Sequence, residues 1–326
     1  MAAETPLVTV VIPCYNQGAY LPDALASIRR QHYTPIETIV VDDGSTDRSA
    51  EIAASANVLA LRQSNAGLGA ARNAGLAAAR GEFIVFLDAD DELLPDAVES
   101  GVAALRDKPA IACVVRQCQM MDAERRALPT NHTPLDSGDL YRAWLHQNFV
   151  WTPGAAMFRT ARIAAIGGFP EDLAPAADYA VYLALARQCA VVLQHREIVR
   201  YRQHDGSMSR DPVLMLRATL NVLRRERRHL PPSYRKDYRA GLRSWCRYYG
   251  EQIVERLRRE RRAGASGSWQ KAAVWTLVTE CPRVLAVHVW RLLSRRARGL
   301  RSAPIEPGRF GPEVPARPRR NRTHSG

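Results

Sequence analysis

Asp88, Asp90 and Asp91 put three carboxylates within four positions, in the stretch Phe86-Leu87-Asp88-Ala89-Asp90-Asp91. Carboxylates this close repel one another, and a fold that gathers them normally needs a hard cation such as Mg2+ or Mn2+ to offset the charge. Residues two apart in an extended chain face the same side, so Asp88 and Asp90 aim at one point while Asp91 faces away. A second acidic group, Asp42-Asp43, precedes Gly44-Ser45-Thr46-Asp47, and a further candidate acid, Asp178, sits near the start of the segment 176–186. The competing account of the 88–91 cluster is a helix start, since Asp, Glu and Pro95 suit a first turn ahead of Ala97, Val98, Val102 and Leu105.

The elements around these acids read as alternating strands and helices. Phe83 to Leu87 is an unbroken apolar run without helical period, the signature of a buried parallel strand. Leu7 to Ile12 is another, ended by Pro13, and Leu21, Ala24, Leu25 and Ile28 then recur at helical spacing. Thr38 to Val41 and Val58 to Leu61 read as two more strands, with Ser45 or Thr46 as helix cap between them. Ile111 to Val115 adds a fifth, and an irregular region follows around Asp122 to Gly138. This rhythm predicts βαβ units and a parallel sheet whose right-handed crossovers bring both acidic groups to one edge. Gly67-Leu-Gly69-Ala-Ala-Arg72 imitates a dinucleotide loop but lacks the third glycine, which excludes a Rossmann cofactor site and leaves a glycine turn before an Ala-rich helix over 70–80. Trp144 and Trp151, near the Thr152-Pro153-Gly154 turn, are either sugar-contacting or core aromatics.

The 326 residues carry a formal charge of +13, unevenly spread. Residues 1–200 hold 17 Lys+Arg against 23 Asp+Glu, whereas residues 201–326 hold 29 against 10. From about Pro212 the pattern is long and helical with Arg-rich faces, and 299–326 is Pro/Gly/Arg-rich without apolar period, the composition of a disordered tail. Three regions are therefore expected, 1–211, 212–298 and 299–326. Few aromatics interleave the arginine runs, which argues for a charged surface rather than a base-stacking groove, so no nucleic-acid partner is expected. The six cysteines form no CxxC pair, no basic-then-apolar leader opens the chain, and the apolar segment 272–293 is interrupted by Glu280, Pro282, Arg283 and His288. These features fit a cytoplasmic location.

Taken together and in order, Val11-Ile-Pro-Cys-Tyr-Asn16, Val40-Val-Asp-Asp-Gly-Ser-Thr-Asp47, Asn65-Ala-Gly-Leu-Gly-Ala-Ala-Arg-Asn73, Phe86-Leu-Asp-Ala-Asp-Asp91 and Gly167-Gly-Phe169 resemble the family 2 glycosyltransferases over about residues 7–210. The resemblance implies an α/β GT-A fold, here with a helical C-terminal extension, a nucleotide-diphospho-sugar donor, UDP-linked by expectation, and inversion at the anomeric carbon. It further implies that Pro13 and Tyr15 line the nucleotide pocket, that Asp43 contacts the nucleobase and Asp88 the ribose or a metal-bound water, and that Asp90 binds Mn2+ or Mg2+. His204, in Tyr201-Arg-Gln-His204-Asp-Gly-Ser-Met-Ser209, is a second candidate metal or diphosphate contact, and Arg72 a candidate phosphate contact. The family's catalytic base falls in an acidic segment after the Gly-Gly-Phe turn. Here that segment is Ala177-Asp178-Tyr179-Ala180, which keeps Asp178 but has alanine where the family has its flanking acids, leaving Glu171 and Asp172 as substitutes.

Two other functions are weighed against this one. Asp88-Ala-Asp90 also resembles the opening of haloacid-dehalogenase-type phosphatases, but those place it on the first strand with Thr or Val two residues past the second Asp, where Glu92 stands here. The missing acids at 177 and 180 suit a catalytically impaired nucleotide-sugar or carbohydrate binding module. The expected acceptor is a glycan or a lipid-linked hydroxyl in cell-surface glycan or glycolipid synthesis, and the basic helices after 212 suggest an anionic membrane surface, the inner face of the cell membrane, as a partner.

Overall fold

The computed structural model describes residues 5–132, 138–264 and 267–297. Val8–Cys14 (β1), Ile36–Asp42 (β2), Leu59–Arg62 (β3) and Phe83–Phe86 (β4) run parallel, with the helices Leu21–Arg29 (α1), Ser49–Ser55 (α2) and Leu68–Ala78 (α3) as crossovers. Every residue of β1 and β4 is buried, as their unbroken apolar runs require of strands covered on both faces. The missing third glycine of the 67–72 turn has a counterpart three residues beyond Arg72, at Gly75, where an added Cβ would overlap the side chain of Val11. Helix α3 thus lies against β1 at van der Waals distance while Arg72 points elsewhere.

Beyond β4 the expectation of a purely parallel sheet fails. The chain continues through Glu92–Leu93 (β5), Ala97–Leu105 (α4), Ile111–Met121 (β6), Leu140–His146 (α5), Ala156–Arg159 (β7), Thr160–Ala165 (α6), Ala177–Gln188 (α7) and Ala190–Arg202 (β8). β7 enters antiparallel between β4 and β6, β8 runs parallel to β6, and β5 closes the edge antiparallel to β8. The sheet order is β3-β2-β1-β4-β7-β6-β8-β5. β8 has no apolar signature because Gln194 to Glu197 interrupt it, three register shifts bend its ladder with β6, and only Leu193, Ile198, Val199 and Arg202 are buried along it.

Four helices follow, Pro212–Glu226 (α8), Arg235–Arg262 (α9), Ser268–Glu280 (α10) and Pro282–Ala297 (α11). Asp211 caps α8 by accepting from the Val213 and Leu214 N–H groups, and Pro212 takes the first helical position, where a missing donor costs nothing. Leu216, Leu220 and Leu223 on α8, with Tyr238, Trp245, Tyr249 and Ile253 on α9, recur every three or four residues and join the same buried cluster as the sheet. The segment expected to be a disordered tail lies outside the described residues.

The closest approach of α9 to α5 is at Gly241, where a Cβ would overlap the backbone carbonyl of Leu145. Backbone cannot step aside as a flexible side chain can. Gly241→Ala should therefore lower stability by about 1–3 kcal/mol, seen as a fall in the urea midpoint at unchanged slope.

Candidate active site

The carboxyl ends of β1, β2 and β4 open on a cavity of about 540 Å3, as ligand sites in open α/β sheets do. Pro13, Tyr15, Asp43, Arg72, Asp88, Asp90 and Asp178 all line it, so seven of the eight residues picked out from the sequence converge. His204, the eighth, reaches the cavity through a 2.9 Å hydrogen bond to Asp90 Oδ2.

Asp43 shapes the cavity wall. Its carboxylate accepts from Gln63 Nε2 (2.8 Å) and from the Ala66 and Gly67 N–H groups (both 2.9 Å), folding the loop that enters α3. Neither Ser45 nor Thr46 caps α2, whose N-cap position is Arg48 without a side-chain cap; Asp47, just ahead of it, accepts from the Ser49 N–H at 2.9 Å. Ser45 Oγ instead accepts from the Asn16 N–H, and Asn16 Oδ1 accepts from the Thr46 N–H, so the loops after β1 and β2 are tied together.

The 88–91 cluster neither continues the strand nor starts a helix. β4 ends at Phe86, and the Asp91 N–H donates to the Asp88 carbonyl at 3.0 Å, closing a turn, while α4 begins only at Ala97. The turn sends the three carboxylates to three partners. Asp88 takes Arg72 at 2.7 Å, Asp90 takes His204, and Asp91, fully buried, accepts from Thr152 Oγ1 (2.6 Å) and the Arg202 N–H (3.0 Å). Burial, followed by the charges of Asp90 and Asp88, holds the Asp91 carboxyl well above the ordinary carboxylate range. Arg202 secures the turn from below, since its Nε donates to the Asp90 carbonyl at 2.8 Å and its guanidinium reaches Asp23 and Glu92. The sequence showed Arg202 only as a member of the 201–209 motif, without a role.

Among the described residues lining the cavity, Arg72 is the one buried cation. Its guanidinium lies 5.1 Å from the Phe169 ring centroid and interacts with both Asp88 and Asp178. Burial opposes its charge, but the two carboxylates more than offset this. Phe169 is fixed in turn by Asn73, whose Oδ1 accepts from the Phe169 N–H and whose Nδ2 donates to the Phe169 carbonyl, both at 2.8 Å. For Asp88, burial pushes the carboxyl up, Arg72 pulls it down and Asp90 adds to the rise. Arg72 Nε has no hydrogen-bond partner among the described residues, which suits an anionic ligand beside it.

Asp178 stands in the first turn of α7, buried, and burial raises its carboxyl to about 6 against the pull of Arg72. Glu171 and Asp172, the substitute acids, do not line the cavity; Glu171 accepts from Asn73 and Asp172 pairs with Arg225. Neither Ala177 nor Ala180 lines it either. Trp144 is core, fully buried and stacked with Phe149 and Tyr182, whereas Trp151 faces the cavity. The rest of the aromatic wall is Tyr179 from α7, Tyr201 from β8, and Trp245 and Tyr249 from the Arg-rich α9, which the sequence did not tie to the site. Three aromatics within five positions of an Arg-rich helix, Trp245, Tyr248 and Tyr249, are the signal that marked them.

The donor types suit a divalent cation, yet among the described residues no three His, Cys, Asp or Glu side chains form a cage. A small hard cation held by one or two carboxylates and completed by ligand phosphates needs no such cage. The His204 Nδ1 accepts from the Gly206 N–H at 3.2 Å, which leaves the ring proton on Nε2 and makes His204 a donor that orients Asp90.

The model of the family described as glycosyl transferase family 2 matches residues 9–166. Among curated relatives, the putative glycosyltransferase EpsH of Bacillus subtilis (strain 168) is 42% identical over 110 residues, 32% of this chain and 32% of that protein. Chondroitin synthase of Escherichia coli is 33% identical over 190 residues, 56% of this chain and 27% of that protein. The protein MT1568 of Mycobacterium tuberculosis is 30% identical over 239 residues, 68% and 74% of the two chains. The chain thus spans about a third or less of the first two relatives. Among solved structures, Staphylococcus aureus TarS 1–349 in complex with UDP superposes with a TM-score of 0.56 at 21% identity, covering 72% of this chain and 70% of that one. The mannosyltransferase PcManGT of Pyrobaculum calidifontis, in complex with GDP-Man and Mn2+, gives 0.56 at 19% identity, covering 91% and 83%. These likenesses establish the GT-A fold.

The burial of Asp178 has a thermodynamic signature. Below about pH 4 its carboxyl is neutral in the folded and unfolded chains alike, and above about pH 6 ionisation in the folded state costs stability. Asp178→Asn should therefore stabilise the protein above pH 6 by up to about 2–3 kcal/mol, the gain fading toward pH 4, as read from urea unfolding across that range.

Proposed function

The chain belongs to the family 2 glycosyltransferases, and from that membership we propose that it transfers a sugar from a UDP-linked donor to a hydroxyl acceptor with inversion. The observation that carries this reading is the single cavity lined by Asp88, Asp90 and Asp178 with Arg72 among them. The UDP held by TarS favours a uridine donor, and the Mn2+ beside GDP-Man in PcManGT favours a divalent cation.

In this reading Pro13 and Tyr15 bound the nucleoside, and Asp43 meets the base with the lone-pair capacity its three backbone and side-chain donors leave over. Asp88, already held by Arg72, receives the ribose. Asp90, oriented by His204, holds Mn2+ or Mg2+, and His204 itself becomes a ligand only if its Nε2 proton leaves. When bound, the cation neutralises charge on the departing diphosphate. Arg72 adds a buried positive charge on the same side. Asp178 takes the proton of the acceptor hydroxyl as that oxygen bonds to the anomeric carbon from the face opposite the leaving group. Trp151, Tyr179, Trp245 and Tyr249 exclude water and flank the acceptor. Because neither alanine of the 177–180 segment faces the cavity, their presence does not weaken the case for turnover over a binding module. Residues 1–211 carry the chemistry and 212–298 the acceptor side. The acceptor is a glycan or lipid-linked hydroxyl at the inner face of an anionic membrane.

Titration calorimetry of UDP with and without Mn2+ tests the donor side: binding should require the metal and disappear in Asp90→Ala, and equal binding without metal removes the cation from the scheme. Asp178→Asn should keep UDP binding and lose about 10²–10⁴-fold in kcat. A variant turning over at the wild-type rate would end its assignment as base. The wild-type kcat/KM should rise with pH through about 6, as Asp178 ionises, and then level.

A further inference from the structure

α10 and α11 meet at Cys281-Pro282, and both lie on α9. On that side they bury Ala273, Thr276 and Leu277 from α10 and His288 from α11. Their opposite faces present large apolar side chains to water. Val274, Trp275 and Val278 form one stripe on α10, and on α11 Val287 and Trp290 lie one turn apart in another, with Val289 exposed on the other flank of the buried His288; Trp275 and Trp290 are 64% and 65% exposed. Lys271 continues the first stripe, and Arg283 and Arg291 flank the second.

Beside these stripes runs a groove of about 540 Å3 between α9 and α11. Leu242, Val284 and Val287 supply apolar lining, and Arg243, Arg247, Arg283 and Arg291 stand around it. Among the described residues none of these four guanidinium groups makes a hydrogen bond or an ion pair. Of the two carboxylates at the groove, Glu280 is already taken by Arg224. Unpaired cations over an apolar lining, bordered by exposed tryptophans, suit an anionic amphiphile.

Other occupants fit less well. A second copy laid on the same face would set arginine against arginine. The chain after residue 297 carries seven arginines and two glutamates, so it repeats the charge of the groove. An oligonucleotide matches the charge but leaves the valines wet. No described helix is long and apolar enough to cross a membrane, so contact runs along a surface.

We propose that the outer faces of α10 and α11, with the α9–α11 groove, dock on an anionic phospholipid bilayer, the lipid phosphate among the four arginines and Trp275 and Trp290 at the acyl boundary. The inference rests on the membrane setting proposed above and is independent of the donor chemistry, so UDP binding, which every variant below should retain, keeps the two apart.

Flotation of the full chain with vesicles of phosphatidylcholine alone, or mixed equally with phosphatidylglycerol, is the test. The protein should float with the anionic vesicles only, and its tryptophan emission should shift to the blue on adding them. Arg283→Gln and Arg291→Gln should each weaken binding about fivefold, and joint Trp275→Ser and Trp290→Ser by about tenfold or more. Absence of flotation, or flotation that neither set of changes alters, overturns the proposal. So does a wild-type dimer in light scattering that the tryptophan changes dissociate, which gives the face to a second copy, or an oligonucleotide that displaces the vesicles and binds the tryptophan variant unchanged.

Discussion

Everything at the cavity depends on placing one permanent cation among acids. Asp88 and Asp178 come from segments 90 residues apart, and each, buried alone, would pay a desolvation cost that hydrogen bonding to backbone could not cover. Arg72 interacts with both, so the two walls of the cavity are held in one electrostatic unit. Its own place is fixed by packing: it rests on Phe169, Phe169 meets Phe86 edge-on at 4.7 Å, and Asn73 fastens the Phe169 backbone to α3. A helix, a strand and the Gly-Gly-Phe turn are thereby aligned by a few contacts around one guanidinium.

The two sides of the cavity are built differently. One side is the carboxyl end of the sheet, where short loops are stitched to one another by Asn16, Ser45, Asp43 and Asp47 and where the 88–91 turn is clamped by Arg202. The opposite side is helical and aromatic, from α7 and α9. Polar stitching fixes the acids of one wall in place, whereas stacked rings offer a surface that different flat or hydroxylated partners can share.

The parallel strands and the meeting of both acidic clusters were legible in the chain because apolar runs ending in carboxylates are local signals, whereas Pro13, Tyr15, Arg72 and Asp178 came from the resemblance to the family. What was not legible was set by distant contacts. β8 is a strand because β6 supplies a ladder, although Gln194 to Glu197 look like a loop. The division of labour among Asp88, Asp90 and Asp91 follows from a turn whose partners Arg72, His204, Thr152 and Arg202 are far along the chain; alternation set Asp88 and Asp90 toward one point and Asp91 away, as the cavity lining has them, but not these partners. Trp245 and Tyr249 stood out as aromatics of an Arg-rich helix, but only the packing of α9 against the sheet domain brings them to the cavity.

Helix α9 stands between two hollows. Trp245 and Tyr249 face the acid-lined cavity, and within the same turns Leu242, Arg243, Cys246 and Arg247 face the arginine-lined groove. The partition is a single helix, about 10 Å thick with its side chains, pinned at Gly241 to the backbone of Leu145. A rigid rod used as a common partition cannot move on one side only. Whatever tilts or rolls it to enlarge one chamber narrows the other, and the free energy of that exchange is the same counted from either side.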